Sequence, residues 1–340
     1  MTKENVFSGR DASMDVVKGI GIILVVIGHA NRSTLLGKMI YGFHMPLFFI
    51  IAGMFYNKEK WEKLGGIELV RNRAKSYLVP YFSMAGINLV LNAIDEMAIY
   101  DVFGEWLDAQ VYHVGWIAYA TGLSKLSPNC SPLWFLPCLF LSYIIFYFIL
   151  QLKLSTQMGV CALLILLNKM IFMVLPKITP KVLPWHMDTA LVGAVLMVVG
   201  YQIKEQGWQK TAEKNIFLFL LLLGIGGIAG WMNLGKVAFA SNRIGNPIFM
   251  VLYACSMTLV LIAVGGKICK AAVGRFLVFC GNSTMVFMGF NYFFNRHTER
   301  VWKAIPILNK YEYHWILKVI VVTMCLSFTS SMWKKCKAWV

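Results

Sequence analysis

The chain has 340 residues, of which 58% are hydrophobic and only 14% charged, and its mean hydropathy is +0.64. That balance leaves too little polar surface to cover a core in water, which excludes an ordinary soluble enzyme and points to an integral membrane protein. The formal net charge of +16 is divided among short clusters between apolar runs, the pattern of topological loops and not of a nucleic-acid-binding stripe.

Ten apolar runs reach or approach the length that crosses about 30 Å of hydrocarbon as helix, the form in which the backbone satisfies itself in lipid. They lie near 14–30, 39–56, 77–94, 132–152, 157–175, 187–203, 216–232, 247–265, 275–294 and 315–333. The expected fold class is all-α: a polytopic transmembrane helical bundle of about ten spans, forming a single membrane domain over residues 1–340. The first run follows Arg10, Asp11 and Asp15, contains Lys18 and lacks a small-x-small cleavage site, so it reads as a retained span and not as a signal peptide.

Loop charge sets the orientation. With the N-terminus inside, the cytoplasmic segments collect Lys58, Lys60, Lys63, Arg71, Arg73 and Lys75, then Lys153, Lys204, Lys210, Lys214, Lys267, Lys270 and Arg275, then Lys334, Lys335 and Lys337. Both termini come out cytoplasmic. The external semi-apolar segment 95–131 instead carries Asp95, Glu96, Asp101, Glu105 and Asp108, and its stretch Val111 to Leu123 reads as a re-entrant or interfacial element. Glu59 to Ala74 reads as a short amphipathic helix on the inner surface. The 8 cysteines show no C-x-x-C or metal-type spacing, so free thiols are expected and no disulfide framework or metal site.

The first span is the most informative. At 100° per residue, His29 falls about 20° from Lys18 on one helix face and about 16 Å further along the axis, with Asp15 close to the same stripe. Asp15 and Lys18 form an i, i+3 pair at the inner interface, where each neutralises the other. Two readings stand side by side. Lys18 snorkels to the headgroups and His29 is an ordinary interfacial histidine, or the stripe faces a polar cavity and His29 accepts a proton from a hydroxyl at neutral pH. The second span enters from outside through Phe43-His44-Met45-Pro46, which puts His44 at a depth similar to His29. His44 has its own bland explanation, an inter-helix hydrogen bond beside a Pro-distorted turn.

With these motifs in hand, the chain resembles the membrane acyltransferase-3 family, in particular its fucose-4-O-acetylase-like and polysaccharide O-acetyltransferase branch. The matching residues are Arg10, Asp15, Lys18-Gly19 and Gly28-His29, then Phe43 to Phe49 with Gly53, then Arg71-Asn-Arg73-Ala-Lys75 ahead of Pro80-Tyr81. Further on they are Pro132-Leu133-Trp134-Phe135-Leu136, Pro184-Trp185-His186-Met187-Asp188, Gly245-Asn246-Pro247 and Gly281-Asn282-Ser283. The resemblance implies about ten spans in a bacterial cytoplasmic membrane. It also implies transfer of an acetyl group from cytoplasmic acetyl-CoA, as co-substrate and without a metal, to a hydroxyl of a lipid-linked or exported glycan.

For His29 the resemblance implies the catalytic role, either as the base that deprotonates the acceptor hydroxyl or as a transient acyl-histidine, supported by Lys18 and Asp15. Cations near the inner interface, Arg10, Arg71, Arg73 and Lys75, with Asn282 and Ser283, suit the coenzyme A phosphates. An outer group of His44, Trp134, His186, Asp188, Asn246 and Asn291 suits a sugar, although Trp134 also reads as a belt residue and Asp188 as a helix cap. Expected partners are the lipid bilayer and a hydroxylated glycan acceptor, with a homo-oligomer left open.

The chain departs from the family pattern in three ways. Arg73 is followed three residues later by Ser76 in place of a second arginine, the late histidine is replaced around Phe290-Asn291-Tyr292, and no hydrolase-like module for a two-module relay is expected. A small-solute carrier, such as the serine-uptake module proposed for glycopeptide-resistance serine racemases, is the rival reading; intramembrane charge and Gly/Pro-interrupted spans suit it, and the lack of an inverted repeat argues against it.

Overall fold

A computed structural model of the chain describes residues 12–31, 34–100, 132–174, 183–305 and 314–337. Arg10 and the interfacial element expected at Val111 to Leu123 lie outside the described residues.

The described residues are almost entirely helical. The first two spans are α1 (Ala12–Ala30) and α2 (Leu35–Met54), the latter started by Thr34, whose side chain accepts from Gly37 N at 3.2 Å. Two short inner-surface helices follow, α3 (Lys58–Leu64) and α4 (Gly66–Arg73). The single amphipathic helix expected over Glu59 to Ala74 is thus divided, because Gly65 adopts φ 81°, a left-handed conformation that ends a helix. A π-helical turn (Ala74–Leu78) leads into α5 (Val79–Tyr100).

Beyond the external segment come α6 (Phe135–Leu150), α7 (Leu154–Val174), a 3₁₀ turn (Pro184–His186) and α8 (Met187–Glu205). The surface helix α9 (Trp208–Lys214) precedes α10 (Ile216–Met232). A two-stranded antiparallel ribbon, β1 (Val237–Ala238) with β2 (Arg243–Ile244), leads to α11 (Pro247–Ile268). Last are α12 (Ala272–Gly281), α13 (Thr284–Ala304) and α14 (His314–Lys337).

Seven of these helices are long and apolar enough to cross a membrane, and two bent pairs, α9 with α10 and α12 with α13, raise the number to nine among the described residues. The remaining expected span is α5, 22 residues long but diluted by Asn88, Asn92, Asp95 and Glu96. A second expectation is refined. The ninth span was expected as one helical run over 275–294, whereas the chain bends by 85° between α12 and α13. Asn282 and Ser283 sit at that break, and the Ser283 hydroxyl donates back to Phe279 O at 2.8 Å, closing the end of α12.

Helix α2 is central: 72% of its span is buried inside the protein, against 11% for α7, whose leucines and methionines therefore face lipid. Glycine sets how closely its neighbours approach. A Cβ on Gly53 would lie 2.0 Å from Met197 O, and one on Gly200 would lie 2.0 Å from Ile50 O, so α2 and α8 touch backbone to backbone. The same holds where α1 crosses α12, with Gly19 against Leu277 and Gly281 against Asp15. Without a hydrophobic drive between helices in lipid, such close crossings are how spans hold together. The described cysteines are free thiols.

Candidate active site

In the orientation set by loop charge, the α1–α12 crossing lies at the inner end and places the first polar pair. Lys18 Nζ lies 2.5 Å from Asp15 Oδ1, with the Asp15 side chain only 3% exposed, and above the ring of Phe55 at 5.3 Å. A near-buried carboxylate in such a place demands a cation, and Lys18 supplies it one turn away.

Beside Lys18 a cavity of about 280 Å³ opens between α1, α2, α6, the π-helical turn and α13. Its walls are apolar, with Phe48, Ile51 and Leu139 among them, and its polar groups are Lys18, Arg73, Tyr77, Tyr143 and Thr284. Arg73 is held by aromatic faces: its guanidinium lies 4.1 Å from the Tyr143 ring centroid and 5.3 Å from that of Trp61. It also hydrogen-bonds Tyr77, whose ring stacks on Tyr143 at 5.7 Å. Because Asp15 takes up the charge of Lys18, and no carboxylate pairs with Arg73 among the described residues, Arg73 is the cation this cavity offers an anion.

The other inner cations behave differently. Arg71 is exposed and pairs with Glu68 at 3.0 Å, and Lys75 is exposed on the π-helical turn. Asn282 is exposed at the helix break, while Ser283 is buried. The described members of this sequence grouping are therefore spread across the inner surface, and among them only Arg73 lines the cavity.

At its outer end the cavity stops at Phe48 and Phe135, whose ring centroids are 5.9 Å apart. One helical turn beyond Phe48 is His44, buried, with Nδ1 2.8 Å from Ile40 O. A carbonyl only accepts, so Nδ1 carries the proton and Nε2 is left as an acceptor. The ring of Tyr41 lies edge-on to both histidines, at 5.0 Å from His44 and 6.2 Å from His29. His29 is half-buried at the end of α1. Tyr41 was not singled out from the sequence; its position three residues before His44, on the same face, was the available signal.

A second polar centre fills the outer ends of α6, α7 and α8. The His186 ring lies 4.8 Å from that of Trp134, and His186 and Asp188 are both fully buried. Trp185 and His186 have φ of 54° and 52°, two consecutive non-glycine residues in the left-handed region. Such strain persists only where the surroundings impose it, and it clusters at functional sites. Asn168 on α7 donates to Asp188 O at 2.8 Å and to Asn242 Oδ1 at 2.5 Å. Asn168 and Asn242 were not singled out either, since a lone asparagine in an apolar run or a loop carries no spacing signal.

The remaining two residues divide in role. Asn246 caps α11, its Oδ1 accepting from Ile248 N at 3.0 Å and Phe249 N at 3.4 Å. Asn291 is fully buried on α13 and receives a bond from Asn295. Helical steps of 100° put Thr284, Met288, Asn291 and Asn295 within about 40° of one line, so the face that lines the cavity continues outward as a polar one.

The family model described as an acyltransferase domain matches residues 11–332. No curated protein and no solved structure matched the chain. The family match spans nearly the whole helical bundle, from the residue before α1 into the last helix, so this chain belongs to the acyltransferase-domain family and is a multi-pass membrane acyltransferase.

Proposed function

We propose that the protein transfers an acetyl group from cytoplasmic acetyl-CoA to a hydroxyl of a glycan at the outer face of a bacterial cytoplasmic membrane, with His29 as the catalytic base, in the manner of the polysaccharide O-acetyltransferase branch. The observation that carries this reading is the cavity between Lys18, Arg73 and Phe48. It has Lys18 and Arg73 among its lining residues, is otherwise mostly apolar, and reaches as far as Phe48, one turn from His44. A coenzyme A arm has the matching chemistry: a phosphate end for Arg73, with Arg71 and Lys75 nearby at the surface, and a slender thioester arm for the apolar bore.

In this mechanism the acceptor hydroxyl gives its proton to His29 as its oxygen attacks the thioester carbonyl. The carbon–sulfur bond breaks, and the departing thiolate takes the proton from the imidazolium. Tyr41, packed against His44, positions the His29 ring. Trp134 is itself buried against His186, so it braces the outer end of the site instead of offering a sugar an open ring face. The bent helix pairs are the observation that favours a carrier instead, since interrupted spans build transport sites.

One experiment separates the two. Inside-out vesicles are given radiolabelled acetyl-CoA and, in parallel, labelled serine. Label is expected in glycan, is lost with His29→Ala and with Lys18→Met, and no serine accumulates. Serine uptake without glycan label, or full transfer by His29→Ala at equal membrane abundance, would overturn the reading.

A further inference from the structure

A second cavity, of about 310 Å³, lies at the opposite end of the molecule, between the outer part of α7 and the ribbon that joins α10 to α11. Its lining has a chemistry the transfer reaction does not use. Lys169, Lys236 and Arg243 converge on it together with Asn168 and Asn242, and no carboxylate is among its lining residues. Three cations at an outer face run against the trend that places Lys and Arg inside. The topological explanation that covers the inner cations therefore does not cover these.

The pocket is also built, in the sense that its wall is fixed before any ligand arrives. Asn233 staples the ribbon: its amide donates to Ile244 O at 3.3 Å and to Asn246 O at 3.1 Å, and its carbonyl accepts from Asn246 N at 2.9 Å. Asn242 is held in the left-handed region at φ 53°, and it is 1% exposed. Its Oδ1 is taken by Asn168, with Thr189 at 3.5 Å, while its Nδ2 and the Oδ1 of Asn168 have no partner among the described residues. A buried amide donor without an acceptor is costly, and a ligand oxygen in this pocket would satisfy it. Lys236 spends one hydrogen on Met232 O at 3.1 Å and keeps the others.

We propose that this pocket binds a phosphate group presented at the outer face. Arg243 offers the planar fork that matches phosphate oxygens, the two lysines add charge, and the Asn242 amide fixes orientation. The phosphate has two sources in such a setting, the acceptor's own carrier or an outer-leaflet lipid headgroup. Because Asn168 bonds both this pocket and the backbone of Asp188, the bound group would be held beside the Trp134–His186 centre. The inference concerns binding and stands whether or not acetyl is the group transferred.

The test uses the full chain in a phosphate-free glycoside detergent, titrated with inorganic phosphate by calorimetry. The variant Lys169→Gln/Lys236→Gln/Arg243→Gln is expected to weaken binding at least about tenfold, as loss of charge-assisted hydrogen bonds requires. Asn242→Asp, which keeps a side chain tolerant of the left-handed backbone but points a carboxylate at the anion, is expected to do the same with thermal unfolding unchanged. Repeating the titration in phosphatidylglycerol nanodiscs assigns the source: weakened phosphate binding there marks a lipid headgroup as the occupant, and unweakened binding marks the acceptor's phosphate. Equal phosphate affinity in wild type and in both variants overturns the proposal.

Discussion

Replacing Gly281 with alanine tests how far the site depends on one helix crossing. A Cβ at position 281 would lie 2.0 Å from Asp15 O and 2.9 Å from Asp15 C, and both are backbone atoms that cannot rotate aside. Ordinary contact begins near 3.4 Å, so α1 and α12 must separate by roughly 1.4 Å at that level, the difference between the two distances. Overpacking of this kind costs about 1–3 kcal/mol, which a large bundle survives. The functional cost is greater, because Asp15 and Lys18 ride on the displaced segment at the mouth of the cavity. A shift of about 1 Å at a positioning element lowers rates on the order of 100-fold. The assay is label transfer from acetyl-CoA in inside-out vesicles, normalised to the folded protein measured by size-exclusion fluorescence. Gly159→Ala is the matched control: it lies within α7 with nothing within 4 Å of the added methyl, and is expected to be neutral or to stabilise by up to about 1 kcal/mol. Wild-type transfer by Gly281→Ala would refute the coupling of this crossing to the site.

Other substitutions separate structural from chemical roles. Lys18→Met removes the cation beside the buried Asp15 carboxylate and should cost about 3 kcal/mol, while Asp15→Asn/Lys18→Met should recover that stability in chemical unfolding without recovering transfer. Arg73→Lys keeps the charge but loses the flat contact with Tyr143 and Trp61, so the KM for acetyl-CoA should rise severalfold with kcat less affected; an unchanged KM would remove Arg73 from donor binding. Asn246→Ala removes a helix cap and should lower stability by about 1 kcal/mol, with acceptor KM untouched.

The helices themselves were legible because lipid imposes a length and an apolar composition on every span, and the runs at 14–30, 39–56 and 132–152 reappear as α1, α2 and α6 within a few residues. The bend between α12 and α13 was not legible. Hydropathy is a sum over residues and is blind to direction, and Gly281-Asn282-Ser283 contains no proline to announce a break. The Asp15–Lys18 pair followed from helical spacing alone. Arg73 and Arg71 could not be told apart in the same way, since which cation turns inward depends on the π-helical turn and on aromatic faces contributed by α3 and α6. The Asn168–Asn242 bond joins residues 74 apart, and only packing brings them together.

The ring pair of Phe48 and Phe135 has a meaning beyond the reaction. A cavity open to the cytoplasm and a titratable histidine near the far surface would together form a wire for protons and small ions, discharging the gradient on which the cell depends. Packed aromatic rings between them, Phe48 against Phe135, would exclude water, and a dry gap is a high barrier to any charge. In the proposed reaction these two phenylalanines would have to part for the acyl chain and close behind it, so that a group crosses while the membrane keeps its voltage.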